Sequence, residues 1–205
     1  MNRWPHQQRA LSEVLTAIDA GHKRICLTSP TGGGKSVTIC DVIESVVQTM
    51  NWPVALYTNR KMLVDQLSDT LMDHGIEFGI RAAGEEDNRH LQVQVSSLPT
   101  ESSRVIKAAK WQIHGNGRPT LAIIDEAHIN RGFTAKAIAQ KHLDSGGLLL
   151  GVTATPIGLS DMYDHLIIAG TNSELRACGA LVSCMQDGPD EPDFEAHKKL
   201  LAKLR

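Results

Sequence analysis

Ser29-Pro30-Thr31-Gly32-Gly33-Gly34-Lys35-Ser36 sets three successive glycines directly before a lysine and a serine. Glycine leaves backbone N–H groups free to curl round an oxyanion, where any Cβ would intrude. A helix opening at the lysine would aim its positive end at the same anion. In such a loop Lys35 reaches the outer phosphates of a nucleotide and the Ser36 hydroxyl holds Mg²⁺. Thr31, Gly32, Gly33, Gly34 and Val37 complete the cradle. The competing reading is a glycine-rich turn followed by a chance lysine.

About ninety residues further on, Leu121-Ala122-Ile123-Ile124 runs into Asp125-Glu126-Ala127-His128. Two carboxylates closing an apolar segment are costly to bury unless a cation or ordered water meets them. Beside a phosphate loop, Asp125 would hold Mg²⁺ through water, and Glu126 would polarise the water attacking a γ-phosphate. Alone, such an acidic pair is more often a solvated turn.

These groups need a frame that brings distant segments together. Apolar runs at Arg24–Thr28, Val54–Thr58, Leu91–Ser96, Thr120–Asp125 and Leu148–Thr153 read as strands. Amphipathic stretches at Lys35–Gln48, Arg60–Asp73, Ser102–His114 and Thr134–Leu143 read as helices between them. The alternation predicts an α/β domain, a mostly parallel sheet with helices on both faces. Right-handed crossovers then put every loop that follows a strand on one edge, where ligands bind. Gly115-Asn116-Gly117-Arg118-Pro119 reads as a loop. Gly188-Pro189-Asp190-Glu191-Pro192 breaks the chain, and Phe194 to Leu204 reads as a short basic helix.

Asp125-Glu126-Ala127-His128 resembles the DEAH box of superfamily 2 helicases and translocases, of bacterial or phage type, and other segments extend the likeness. The resemblance implies the first RecA-like motor domain, a P-loop fold over residues 1–186, with 187–205 as a linker or peripheral helix. It implies ATP and Mg²⁺ as cofactors, with Lys35, Asp125, Glu126 and His128 as the catalytic set. Ser29 departs from the strict loop pattern, which has Gly there; helicase loops relax that position. Thr153-Ala154-Thr155-Pro156 resembles motif III, whose strand in this fold lies between the two phosphate-site strands. Thr153 and Thr155 would then bond toward His128 and couple hydrolysis to domain movement.

Pro5-His6-Gln7 resembles the glutamine motif that reads adenine, a task for which a primary amide is suited. Trp4 is open to two readings, stacking near the base or packing in the core. The loops after Tyr57-Thr58-Asn59-Arg60 and Gln94-Val95-Ser96-Ser97 resemble the family's nucleic-acid motifs. Thr58, Arg60, Ser97 and Thr100 would there hold a sugar–phosphate backbone without reading sequence. Each serves equally well as a cap or a solvated loop residue. Segments at Gly158–Asp164 and Leu175–Val182 resemble the closing part of this domain.

The 205 residues suffice for one large domain, and 41% hydrophobic with 21% charged residues is ordinary for a globular protein. No apolar run approaches the ~20 residues that span a bilayer, and the first residues carry no signal-peptide stretch, so no membrane partner and a cytoplasmic location are expected. The four cysteines, Cys26, Cys40, Cys178 and Cys184, form no CxxC pair and read as free thiols rather than zinc ligands. Net charge is −2, so any nucleic-acid grip must be local. With 4% aromatic residues, no base-stacking platform is expected.

In the family a second RecA-like domain supplies arginine fingers, usually in a Gln-x-x-Gly-Arg-x-x-Arg run, and nothing after Pro156 matches it. The chain is expected to bind ATP·Mg²⁺ but hydrolyse it poorly alone, as part of a longer chain or one subunit of a split motor. Its partners would be that second domain and nucleic acid, DNA before RNA. The alternative is a non-catalytic, ATP-dependent interaction subunit. A small-molecule kinase is disfavoured, having no use for a DEAH box or motif III.

Overall fold

Val54-Ala55-Leu56-Tyr57-Thr58 is buried at every position, as a strand covered on both faces must be. The computed structural model, which describes residues 3–82, 88, 90–107 and 118–183, sets this run inside a seven-stranded sheet. The strands are β1 (Arg24–Thr28), β2 (Val54–Thr58), β3 (Phe78–Arg81), β4 (Val93–Ser97), β5 (Leu121–Asp125), β6 (Leu148–Thr153) and β7 (His165–Ile168). Their spatial order is β3-β4-β2-β5-β6-β1-β7, and every adjacent pair is parallel. Helices α1 (Pro5–Asp19), α2 (Lys35–Met50), α3 (Lys61–Asp73), α4 (Leu98–Glu101), α5 (Phe133–Asp144) and α6 (Asn172–Ala177) connect and cover them. This is the RecA-like α/β arrangement.

Strand side chains alternate between faces, so each strand feeds two cores. Ile25, Leu27, Leu56, Ile123 and Leu150 pack with Val14 of α1, Ile43 of α2 and Val64 of α3. On the other face Cys26, Tyr57, Ile124 and Leu149 pack with Ile138 and Ala139 of α5 and with Met162 and Tyr163. A Cβ on Gly151 would overlap the Tyr163 ring, so β6 carries no side chain there. Register places Thr28 of β1 opposite Thr153 of β6, and Val152 of β6 opposite Asp125 of β5. β1, β6 and β5 therefore end nearly level, side by side.

Several elements differ from the sequence reading. β3 and β7 are edge strands of four residues, too short and too mixed to stand out as apolar runs. β4 begins at Val93 rather than Leu91. The helix expected over Ser102–His114 starts earlier: Ser97 caps α4, whose first turn holds Pro99, and Ser102–Lys107 continues as a π-helix. Proline suits a first turn, whose N–H groups lack helical partners. Residues 108–114, most of the Gly115–Pro119 loop, Cys184, the Gly188–Pro192 break and the basic Phe194–Leu204 segment lie outside the described residues. α1 is absent from the sequence reading; Ala10, Val14 and Ala17 form its buried stripe.

Burial raises the Cys26 thiol to about 11 and the Cys40 thiol to about 12, so both are packing groups rather than reactive ones. Among the described residues no cluster of ligands could hold a metal by protein groups alone. Nor is any described helix long and apolar enough to cross a membrane.

Candidate active site

The phosphate loop leaves β1 at Thr28 and is tied to its neighbour at once, since Ser29 N donates to Thr153 O at 3.1 Å. Gly33 N donates to Pro30 O at 2.9 Å and closes the turn. Gly32 (φ 80°) and Gly34 (φ 75°) are left-handed, the conformation that excludes most side chains. Contact adds to conformation. A Cβ on Gly32 would come within 2.9 Å of Leu181 Cδ2, and one on Gly33 within 2.9 Å of Leu175 Cδ2. The α6 segment thus backs the loop.

Lys35 opens α2, with Ser36 and Val37 half-buried behind it in the first turn and Thr31 exposed at the rim. The Ser29 hydroxyl lies inside the loop, buried and without a partner, and a Cβ on Gly33 would strike it. An orphaned donor among backbone N–H groups suits a phosphate oxygen, so the loop fits the anion the sequence implies.

Two residues of α1 grip the loop from the N-terminal side. His6 Nε2 donates to Gly33 O at 2.8 Å, and Gln7 Nε2 donates to Gly34 O at 3.5 Å. Gln7 Oε1 accepts from Trp4 N at 2.9 Å, so both ends of its carboxamide are engaged within the chain. Gln7 is buried rather than a surface glutamine, and Trp4 is exposed, not a core residue. Sequence reasoning missed His6: the contact spans 27 positions, and only its place beside Gln7 pointed toward it.

The acidic strand end lies across from the loop. Lys35 Nζ is 3.9 Å from Glu126 Oε1. Glu126 itself has φ 46°, a left-handed conformation that a non-glycine residue adopts at a cost and that clusters at functional sites. The turn is braced by Asn130 Nδ2 donating to Asp125 O at 2.7 Å and by Ala127 N donating to Val152 O at 3.0 Å. Burial pushes the Asp125 carboxyl above its ordinary value; the Glu126 N–H holds it back, the Glu126 charge adds to the rise, and Lys35 opposes it.

His128 continues the line away from Lys35. Its Nδ1 is 3.4 Å from Glu126 Oε2 and 2.8 Å from Thr153 Oγ1. Thr153 Oγ1 also accepts from Thr155 N at 3.1 Å and donates to Thr155 O at 3.4 Å. A proton on Nδ1 fills the hydroxyl's capacity of two acceptor sites and one donor. Thr153 thus meets His128 as expected, whereas Thr155 meets Thr153 through its backbone and has no recorded bond to His128.

The expected nucleic-acid residues all lie at the ends of β2 and β4, on the same sheet edge. Their side chains differ in reach. Arg60 is exposed as the N-cap of α3. Ser97 and Thr100 are spent on each other, Ser97 Oγ donating to Thr100 Oγ1 at 2.8 Å and accepting from Thr100 N at 3.4 Å. Thr58 is a correction: β2 packs it to 0% exposure, so its side chain cannot touch a strand of nucleic acid from there.

The fold has solved counterparts. The UvsW helicase of bacteriophage T4 superposes with TM-score 0.62 at 16% identity, covering 82% of this chain and 60% of that one. The helicase domain of Pyrococcus furiosus Hef gives 0.60 at 15% identity, with 78% and 37% covered. A nuclease-deletion mutant of the type ISP restriction-modification enzyme LlaGI, solved with a DNA substrate mimic, gives 0.66 at 17%, with 88% and 21% covered. The chain therefore spans 60% or less of the length of each of these three. No curated protein matches the sequence. The family model described as the res subunit of type III restriction enzymes matches residues 1–158, and this chain belongs to that family, with the fold of a superfamily 2 first motor domain.

Proposed function

We propose that this chain is the ATP-binding half of a nucleic-acid motor, completed by a second RecA-like domain in cis or in trans. The observation that carries the reading is the 3.9 Å approach of Lys35 to Glu126, which joins a phosphate loop to a water-orienting carboxylate across β6. The loop N–H groups and Lys35 hold the phosphates, and Ser36 with Asp125 would hold Mg²⁺. The ion held there would supply charge neutralisation at the outer phosphates. Glu126 holds and orients water, and the Lys35 contact at 3.9 Å keeps it aimed. Gln7 stands beside the loop, and reading adenine requires it to exchange its 3.5 Å contact with Gly34 for the base.

His128, Thr153 and Thr155 form the line along which a change at Glu126 passes to the exit of β6. On the same edge Arg60 takes a backbone phosphate, while Ser97 and Thr100 shape the loop beside it. DNA is the favoured track. An arginine finger is worth about 10³–10⁵ in turnover in related NTPases, so hydrolysis by the single domain is slow.

The test is ATP turnover by this chain mixed with a second RecA-like domain, with and without single-stranded DNA or RNA. Stimulation by DNA that disappears in Glu126→Gln supports the motor. ATP-dependent association without turnover would favour the interaction subunit instead.

A further inference from the structure

We propose that Phe133 is a stacking platform for an unpaired base, set at the rim of a neutral cleft on the strand-exit edge of the sheet. The inference rests on the nucleic-acid reading above and adds a base contact to what was expected to be a backbone grip.

Phe133 is 79% exposed at the first position of α5, an unusual place for a large aromatic ring, and Ile129 beside it is 57% exposed. They border a cleft of about 530 Å³ formed where β2, β4 and β5 release their chains. That volume accommodates a nucleotide. The polar groups that line it, among them Asn59, Ser102, Ser103 and Thr134, are all uncharged, and among the described residues none that lines it is Asp, Glu, Lys or Arg. A pocket with hydroxyl and amide groups and one flat apolar face matches a base and its sugar, and matches a phosphate poorly. Asn59 Oδ1 is buried without a partner and so offers an acceptor to a base amine or a sugar hydroxyl. Arg60, the next residue, is exposed beyond it and supplies the phosphate contact the cleft lacks. Base and phosphate are thus assigned to neighbouring residues of one loop.

The low aromatic content argued against such a platform. A single ring is enough for one base, because every base has a face and stacking tolerates any sequence.

Binding of the full chain to a short oligothymidylate and to a matching strand of abasic sites tests the assignment. Phe133→Ala is expected to weaken the base-bearing strand roughly 5- to 150-fold and to leave the abasic strand unchanged. Phe133→Trp should retain affinity, and 2-aminopurine in the strand should be quenched by the parent but not by Phe133→Ala. The salt slope should be the same in parent and Phe133→Ala, since no phosphate contact is lost. Unaltered ATP·Mg²⁺ affinity in each variant shows that the fold is intact. Equal losses on both strands, or no loss, would overturn the stacking assignment. A change in sedimentation without a change in oligonucleotide affinity would also overturn it, making the cleft a protein interface. If the parent binds base-bearing and abasic strands equally, stacking alone fails. If it binds neither at low salt, the nucleic-acid reading fails with it.

Discussion

His128 Nδ1 lies 2.8 Å from Thr153 Oγ1, and this bond joins the exit of β5 to the exit of β6. On its other side the same nitrogen is 3.4 Å from Glu126 Oε2, so one ring touches both the Glu126 carboxylate and the Thr153 hydroxyl. Thr153→Val keeps the shape and removes the hydroxyl. ATP·Mg²⁺ should still bind, because the phosphate loop is untouched. The influence of bound nucleic acid on ATP affinity, of the usual size of about 1–3 kcal/mol for such coupling, should shrink. Fluorescence titration of a nucleotide analogue with and without oligonucleotide measures it, and unchanged coupling would remove Thr153 from the path.

Lys35→Ala deletes the cation that opens α2 and lies 3.9 Å from Glu126. A charge-assisted contact of this kind is worth ~1.5–3 kcal/mol, so ATP·Mg²⁺ affinity should fall about ten- to a hundredfold. Calorimetry on parent and variant decides it, with melting temperature as the check on folding. Equal affinities would remove the phosphate-loop assignment.

How far the sequence disclosed this site depended on the kind of relation involved. β1, β2 and β6 have the limits their apolar runs predict, because a strand buried on both faces must be apolar throughout. β3 and β7 are edge strands and escape that constraint: Phe78-Gly79-Ile80-Arg81 contains an arginine whose buried partner, Glu101 at 3.0 Å, comes from α4. The phosphate loop and the acidic box could be read because their chemistry is local. The left-handed backbone of Glu126 and the hold of His6 on Gly33 belong to contacts between distant segments and left no periodic trace. The Ser97 hydroxyl looked available in sequence and is taken up in a helix cap, donating to Thr100 Oγ1 and accepting from Thr100 N.

Asp125 should carry a pH signature. Burial raises its value in the folded chain above the ordinary aspartate range. The folded chain then binds more protons than the unfolded one, so this group's contribution to stability falls as pH rises through the window between the two values. Above the folded value the penalty is constant. Without Mg²⁺, Asp125→Asn should therefore be more stable than the parent near neutral pH, and the difference should fade in acid. Mg²⁺-dependent ATP binding should move the other way and be lost in the variant. Thermal melts across pH test the first half, and a variant no more stable than the parent at neutral pH would contradict it.

Arg60→Ala should weaken every sequence about equally, since a phosphate contact carries no base information. The slope of log affinity against log salt should become shallower by about 0.7 on a single strand. With net charge −2 the domain has no broad attraction to mask this change. A sequence-selective loss, or an unchanged slope, would assign Arg60 another role.

The proposed motor rests on one coupling, between ATP in its site and nucleic acid on the same sheet edge. It is tested most directly by the dissociation constant for ATP·Mg²⁺ measured by calorimetry with and without saturating single-stranded DNA. The Glu126→Gln chain is the one to use, so that turnover does not intrude. ATP should bind measurably, and adding DNA should shift its affinity about 5- to 150-fold, matched by an equal shift in DNA affinity on adding ATP. Identical ATP affinities in the two titrations would contradict it.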